Sequence, residues 1–203
     1  MFVFILLAIL LILFVTAFVM FLIFLRKLDE ETFKKLCSKK VKGFAKRNNL
    51  LAIEKLNVLN YAREKLNIDQ VIFGKKYIYI ITDFLYKGFI KGELTDNSWV
   101  YYNTTKKKSE YSDNLSKVSD KNIQEFAGIL GINADPIVSI CLVPNECDFA
   151  IRELGNDKKM VVHYSSLNKK IKELEERDIG SLNEKQIYEQ YQAVKERNRW
   201  DSI

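Results

Sequence analysis

The first 25 residues, Met1 to Leu25, form an apolar run that is interrupted only by Thr16. As an α-helix, a run of this length reaches about 37 Å, whereas the hydrocarbon core of a bilayer is about 30 Å thick. The run lacks the polar stripe of a core-facing amphipathic helix, and it lacks the basic start and small-residue cleavage site of a secretory signal peptide. We therefore predict an uncleaved transmembrane helix over residues 1–25.

Basic residues are concentrated directly after this run. Residues 26–47 contain nine basic and three acidic side chains, a net of +6, and the rest of the chain is neutral. Because basic flanks of a membrane span face the cytoplasm, we predict a single-pass protein of the plasma membrane with its N-terminus outside and its domain inside. Arg26, Lys27, Lys34 and Lys35 are predicted to contact anionic headgroups, which makes membrane lipid a predicted partner.

Composition also narrows the chemistry. A neutral domain predicts weak nucleic-acid binding at most, since phosphate contacts supply most non-specific affinity. Cys37, Cys141 and Cys147 form no CxxC pair, and His163 is a lone histidine, so the spacing of a zinc site is missing. We expect structural cysteines in a reducing compartment, no catalytic role for the histidine, no cofactor and no small-molecule substrate.

Apolar spacing predicts an α/β domain in which one mixed β-sheet carries helices on both faces. Residues 26–47 form a basic amphipathic helix, residues 48–165 form the α/β core, and residues 166–203 form C-terminal helices. Residues 50–61 fit a strand or a helix, and we favour a strand. Further strands are predicted over residues 68–73, 77–83, 88–94, 98–102, 137–143 and 160–164, with Gly74-Lys75-Lys76 as a hairpin-length connection. Helices are predicted over 115–130, where Gly131 is the expected C-cap, over 166–177, and from a capping box at 181–184. Residues 106–113 are predicted to form a loop.

Three short segments and one tryptophan resemble a known family. They are Asn67-Ile68-Asp69-Gln70-Val71, Tyr79-Ile80-Ile81-Thr82-Asp83, Tyr86-Lys87-Gly88-Phe89-Ile90 and Trp99. In this order and spacing they are similar to the nuclease-related domain (NERD), over about residues 30 to 145. The resemblance implies a restriction-endonuclease-like fold and an association with bacterial membranes.

The resemblance also implies a magnesium-dependent phosphodiesterase site, in which an aspartate and a glutamate on neighbouring strands hold Mg²⁺ and a lysine two residues beyond the glutamate serves the attacking water. Asp69 matches the aspartate and is the one candidate metal ligand. Thr82 stands at the glutamate position and Phe84 at the lysine position. Asp83 and Lys87 are possible displaced substitutes, although strand alternation turns Asp83 away from Asp69 unless a β-bulge intervenes.

Three functions remain open on this basis. The first is a catalytically inactive pseudo-nuclease that serves as a binding or scaffold module, and we favour it. The second is an active Mg²⁺-dependent nuclease on DNA or RNA, with Lys75, Lys76 and Lys91 as candidate phosphate-binding residues. The third is a subunit of a membrane protein complex, in which a stripe on the last helix docks a protein partner; the stripe comprises Tyr188, Tyr191, Val194 and Trp200.

Overall fold

The computed structural model describes residues 11–19, 29–59, 65–151, 153–177 and 182–200. For residues 199 and 200 it describes only the backbone. The helices that follow residue 29 are α1 (Glu30–Arg47), α2 (Leu115–Leu130), α3 (Leu167–Glu175) and α4 (Glu184–Trp200). The strands are β1 (Leu51–Leu59), β2 (Lys65–Phe73), β3 (Ile78–Asp83), β4 (Gly88–Lys91), β5 (Ser98–Asn103), β6 (Lys108–Asp113), β7 (Ile137–Val143), β8 (Asp148–Phe149) and β9 (Lys159–His163).

A five-stranded mixed sheet, ordered β1-β2-β3-β7-β9, forms the centre of the domain. Strands β1, β2 and β3 are antiparallel neighbours, and β7 and β9 continue the sheet in parallel with β3. Every residue of Ile137–Val143 is buried, because this strand is central and both of its faces are covered. The sequence-based prediction of a doubly covered central strand is confirmed.

Helices cover both faces of this sheet. Helices α1 and α3 pack on one face, where Phe33, Val41 and Ile171 meet Tyr79 and Ile81. Helices α2 and α4 pack on the other face with the alternate residues of the same strands. Caps fix the helix ends: Asp29 accepts a hydrogen bond from the Thr32 N–H at the start of α1 (2.7 Å), and Gly131 ends α2 in the left-handed conformation, with φ of 66°.

A second sheet of four strands, ordered β6-β5-β4-β8, packs beside the first. Its inner face is anchored by Trp99, which is 2% exposed and donates its indole N–H to the Glu93 carbonyl at 2.7 Å. The cluster around this tryptophan includes Leu115 from α2 and Cys141 from β7, so it joins the two sheets. The outer face presents Phe89 and Val100 to solvent.

The predicted fold class, one mixed sheet flanked by helices and preceded by a transmembrane helix, is wrong. Strands β4 and β5 belong to a separate sheet and do not extend the first one. Residues 11–19 are helical, residues 1–10 and 20–25 of the predicted span lie outside the described residues, and no helix of the described ranges is long and apolar enough to cross a membrane.

Two local predictions also need correction. The predicted loop at residues 106–113 contains strand β6, which forms an edge of the outer sheet and therefore carries polar side chains instead of an apolar period. At the start of α4 the reciprocal cap joins Asn183 and Gln186, each donating its backbone N–H to the other's side chain at 2.9 Å. Ser181, the first residue of the predicted capping box, lies outside the described residues.

Candidate functional site

The family-like residues converge where β2 and β3 meet helix α1. Strands β2 and β3 pair in antiparallel register up to Gln70 and Ile81, and Asp83 is the last residue of β3. Beyond this pair, a side chain accepts the hydrogen bond in place of a backbone carbonyl: the Asp83 N–H donates to Asp69 Oδ2 at 2.9 Å. Asp69 therefore caps the end of the β2–β3 ladder.

An irregularity in β1 and β2 changes which side chains face α1. In β1, Ile53 and Leu56 are both buried in the α2-side core although they stand three residues apart, and Lys55 between them has φ of 51°. The partner residues Val71 and Ile68 of β2 show the same three-residue spacing in that core. A regular strand alternates its faces every residue, so this irregularity reverses the alternation beside Asp69.

Asp83 lies beside Asp69 as a result. Lys34 of α1 places its Nζ 3.9 Å from Asp69 Oδ1, and it also binds Glu30 Oε1 at 2.9 Å. The hydrogen bond to Glu30 raises the pKa of Lys34, and the nearby charges of Asp69 and Asp83 raise it further. The prediction that Asp83 faces away from Asp69 is wrong, since the simple alternation that it assumed is interrupted.

The Asp83 carboxyl group is buried beneath α1. The residue is 6% exposed, and its Oδ2 accepts a hydrogen bond from Gln70 Nε2 at 2.7 Å. Within the described residues, Asp83 Oδ1 and Gln70 Oε1 have no hydrogen-bond partner. Burial raises the pKa of Asp83 to about 7 and the neighbouring Asp69 acts in the same direction, while the Gln70 amide and Lys34 oppose the shift.

The thiol of Cys37 lies beside the buried Asp83 carboxyl group. The residue is fully buried in α1, and burial together with the Asp83 carboxylate raises the pKa of this thiol well above its usual range. The thiol is therefore neutral and unreactive at physiological pH. Cys37, Cys141 and Cys147 are all free and buried, as expected for structural cysteines.

Thr82 and Phe84, at the glutamate and lysine positions of the resemblance, make their contacts away from Asp83. The Thr82 hydroxyl accepts a hydrogen bond from Asn122 Nδ2 of α2 at 3.2 Å. Phe84 stacks on Tyr86, with ring centroids 5.7 Å apart and planes inclined by 5°, at the edge of the cluster between the sheets. Neither position supplies a charge, so the glutamate and lysine that the resemblance implies have no replacement there.

The candidate phosphate-binding lysines are not gathered on one rim. The backbone N–H groups of Lys75 and Lys76 both donate to Glu175 Oε2 at 3.1 Å, which docks their turn on α3 at the end of β3 remote from Asp83. Lys91 lies in the outer sheet opposite Val100. Lys87 lies between the two sheets, where its N–H donates to the Tyr101 hydroxyl at 2.6 Å.

Sequence reasoning missed part of this arrangement. The sequence predicts that Lys34 contacts lipid headgroups, but its side chain extends towards Asp69. Lys35 points outward and pairs with Glu31 at 2.6 Å. Lys34 directly follows the buried Phe33, and this neighbour was the available signal that its side chain lies near the sheet. Arg26 and Lys27, the other predicted lipid contacts, lie outside the described residues.

The arrangement does not fit a catalytic magnesium ion. The buried Asp83 carboxyl is hydrogen-bonded to an amide, and Asp69 is bound to a backbone N–H and lies beside a lysine. In the described part of the chain, no group of three or more His, Cys, Asp or Glu side chains is placed to hold a metal ion. Comparisons with protein families, curated proteins and solved structures give no match, so the resemblance to the nuclease-related domain stays a prediction.

Proposed function

We propose that the domain is a catalytically inactive, nuclease-like binding or scaffold module. The observation that carries this proposal is the state of Asp83, which is 6% exposed, bound to Gln70 and raised in pKa to about 7. To bind Mg²⁺, which prefers charged oxygen donors, Asp83 would have to leave its hydrogen bond to Gln70 and its buried position beneath α1. Asp69 is engaged as well, by the Asp83 N–H at 2.9 Å and by Lys34 Nζ at 3.9 Å.

The other two positions support the same proposal. A metal-dependent nuclease needs a group that serves the attacking water near the metal. Thr82 is engaged by Asn122 and Phe84 is part of an aromatic stack, so neither can take up a proton. The amine beside Asp69 belongs to Lys34, and Glu30 already holds it at 2.9 Å.

An active Mg²⁺-dependent nuclease is the second candidate. The proximity of Asp69 and Asp83 favours it, since two neighbouring carboxylates are the minimum that such a site requires. In that case Lys34 would be the lysine beside Asp69. The site would also have to ionise Asp83 and release it from Gln70.

A subunit role through the C-terminal helix has less support. Tyr191 packs edge-on against Phe73, with ring centroids 5.3 Å apart, and Val194 is 1% exposed on the same sheet. Two members of the predicted docking stripe are thus used by the protein's own core. Tyr188 remains 54% exposed, and the Trp200 side chain lies outside the described residues.

A cleavage assay on the full chain tests the proposal. Double- and single-stranded DNA and RNA are incubated with the protein and Mg²⁺ or Mn²⁺, and we expect no cleavage above that of Asp69→Asn. Asp113→Asn, a change at an exposed aspartate of β6, is the matched control. Calorimetric titration with Mn²⁺ gives a second readout, and we expect no saturable binding.

The proposal fails if cleavage depends on added metal, survives in Asp113→Asn and is lost in Asp69→Asn with the fold intact. Loss of the same activity in Lys34→Gln would then assign the lysine role to α1. Circular dichroism of each variant confirms that the fold is retained.

A further inference from the structure

Helix α1 carries a continuous basic stripe on its solvent face. Lys35, Lys39, Lys42 and Lys46 are exposed and recur at intervals of four, three and four residues, which places them within a narrow arc of the helix. The buried residues of α1, among them Cys37, lie on the opposite side and hold the helix on the five-stranded sheet. The stripe is therefore fixed in orientation and spans about 16 Å along the helix axis.

The charge of this stripe is only partly compensated. Lys35 pairs with Glu31 and Lys42 pairs with Glu54, each at 2.6 Å. Within the described residues, no ion pair with an acidic side chain is found for Lys39 or Lys46. The whole excess charge of the chain lies in residues 26–47, so this helix is its most basic surface.

Apolar side chains accompany the stripe. Leu36 is 41% exposed on its flank. Residues 11–19 form a helix whose large apolar side chains are exposed, with Phe14 at 68%. The chain between residues 19 and 30 reaches at most about 40 Å, which limits the distance of this apolar helix from the start of α1. A nucleic acid offers phosphates but no apolar phase, whereas an anionic bilayer offers both.

We propose that the solvent face of α1 is a docking surface for an anionic lipid bilayer, with Lys35, Lys39, Lys42 and Lys46 contacting the headgroup phosphates. This surface is distinct from the Asp69 site, and its role does not depend on whether that site is catalytic. Lys34, which turns inward to Asp69, is excluded from the contact. Each lysine near an anionic surface strengthens binding about fivefold at moderate salt.

Partition of the full chain into lipid vesicles tests this proposal. The readout is the ratio of partition into phosphatidylcholine vesicles with phosphatidylglycerol to partition into phosphatidylcholine vesicles alone, because this ratio cancels purely apolar binding. We expect the ratio to fall at least about tenfold when all four stripe lysines are changed to glutamine, and to fall for the wild type as salt is added.

A matched control carries the same change in net charge elsewhere. Lys107, Lys121, Lys169 and Lys185 are exposed in other parts of the domain, and their combined change to glutamine should leave the ratio close to that of the wild type. An equal loss in both variants would show a net-charge effect and overturn the proposal. Salt-sensitive binding to double-stranded DNA or RNA that needs the stripe, without a preference for anionic vesicles, would assign the surface to nucleic acid and overturn it as well.

Discussion

The two sheets of this domain bury their side chains in different ways. In the five-stranded sheet, helices cover both faces, and all seven residues of Ile137–Val143 are buried. In the four-stranded sheet one face packs against the rest of the protein, and the edge strand Lys108–Asp113 has no fully buried residue. The comparison shows that a continuous apolar run in the sequence indicates a strand whose two faces are covered by helices. A strand in a half-covered sheet has a weak apolar period or none, and is harder to predict.

The candidate site belongs to the covered sheet, and this explains its chemistry. Asp83 ends a strand beneath α1, so its carboxyl group is removed from water and its pKa rises to about 7. A carboxyl group on the outer face of the other sheet would remain hydrated. Burial therefore determines whether this aspartate is charged at a given pH.

The largest expected difference between the sheets is in core truncation. Ile80 of β3 is fully buried, whereas Val100 of β5 is 44% exposed. We expect Ile80→Ala to lower the free energy of unfolding by about 2–5 kcal/mol, because it removes buried methyl groups and leaves a cavity. Val100→Ala should change it by less than about 0.5 kcal/mol. Urea unfolding of both variants measures the contrast, and equal losses would show that the outer face is also covered.

A second test uses the titration of Asp83. Its folded pKa of about 7 lies above the ordinary value of 3.8 for an aspartate, so the folded state binds the proton more tightly than the unfolded state. The stabilisation from this proton is complete below pH about 4 and is lost as the pH rises to about 7, with a slope of up to about 1.4 kcal/mol per pH unit. Asp83→Asn should remove this slope, so its stability relative to the wild type should rise across that interval.

The control for this titration is Asp113→Asn, which changes an exposed carboxyl group and should keep the wild-type slope. Urea unfolding between pH 4 and 8 gives both curves. A slope that persists unchanged in Asp83→Asn would show that another group carries the pH dependence.

The smallest effect is expected at the junction of the sheets. Asn114 is 2% exposed and caps α2 by accepting the Ser116 N–H at 2.9 Å, while its amide donates to the carbonyls of Leu94 at 2.9 Å and Asp96 at 2.7 Å. We expect Asn114→Ala to cost about 1–2 kcal/mol of unfolding free energy. Thr95→Ala, at an exposed position of the loop that Asn114 holds, should cost less than about 0.5 kcal/mol. An equal cost for both changes would mean that this cap does not tie the loop of the outer sheet to α2.

Local signals in the sequence were enough to predict most elements of the covered sheet. The spacing of five apolar residues predicts the face of α1 that packs on the sheet; Phe33, Cys37, Val41 and Phe44 are buried, whereas the fifth, Leu36, is 41% exposed. Gly74 and the two lysines after it predicted the β2–β3 hairpin, which is antiparallel as expected. Gly131 predicted the end of α2 because a left-handed cap favours glycine. Each of these features depends on neighbours in the chain, so the sequence alone determines it.

Non-local contacts decided the rest. Strand β6 exists because β5 pairs with it, and its polar side chains gave no periodic signal. The separation into two sheets depends on which strands pair across the chain, and apolar spacing carries no information about pairing partners. The left-handed Lys55 interrupts the alternation of faces, and this interruption brings Asp69 to the face that already carries Gln70 and Asp83. Only the tertiary structure could place these groups together, because a side chain's neighbours in a sheet come from strands that are distant in sequence.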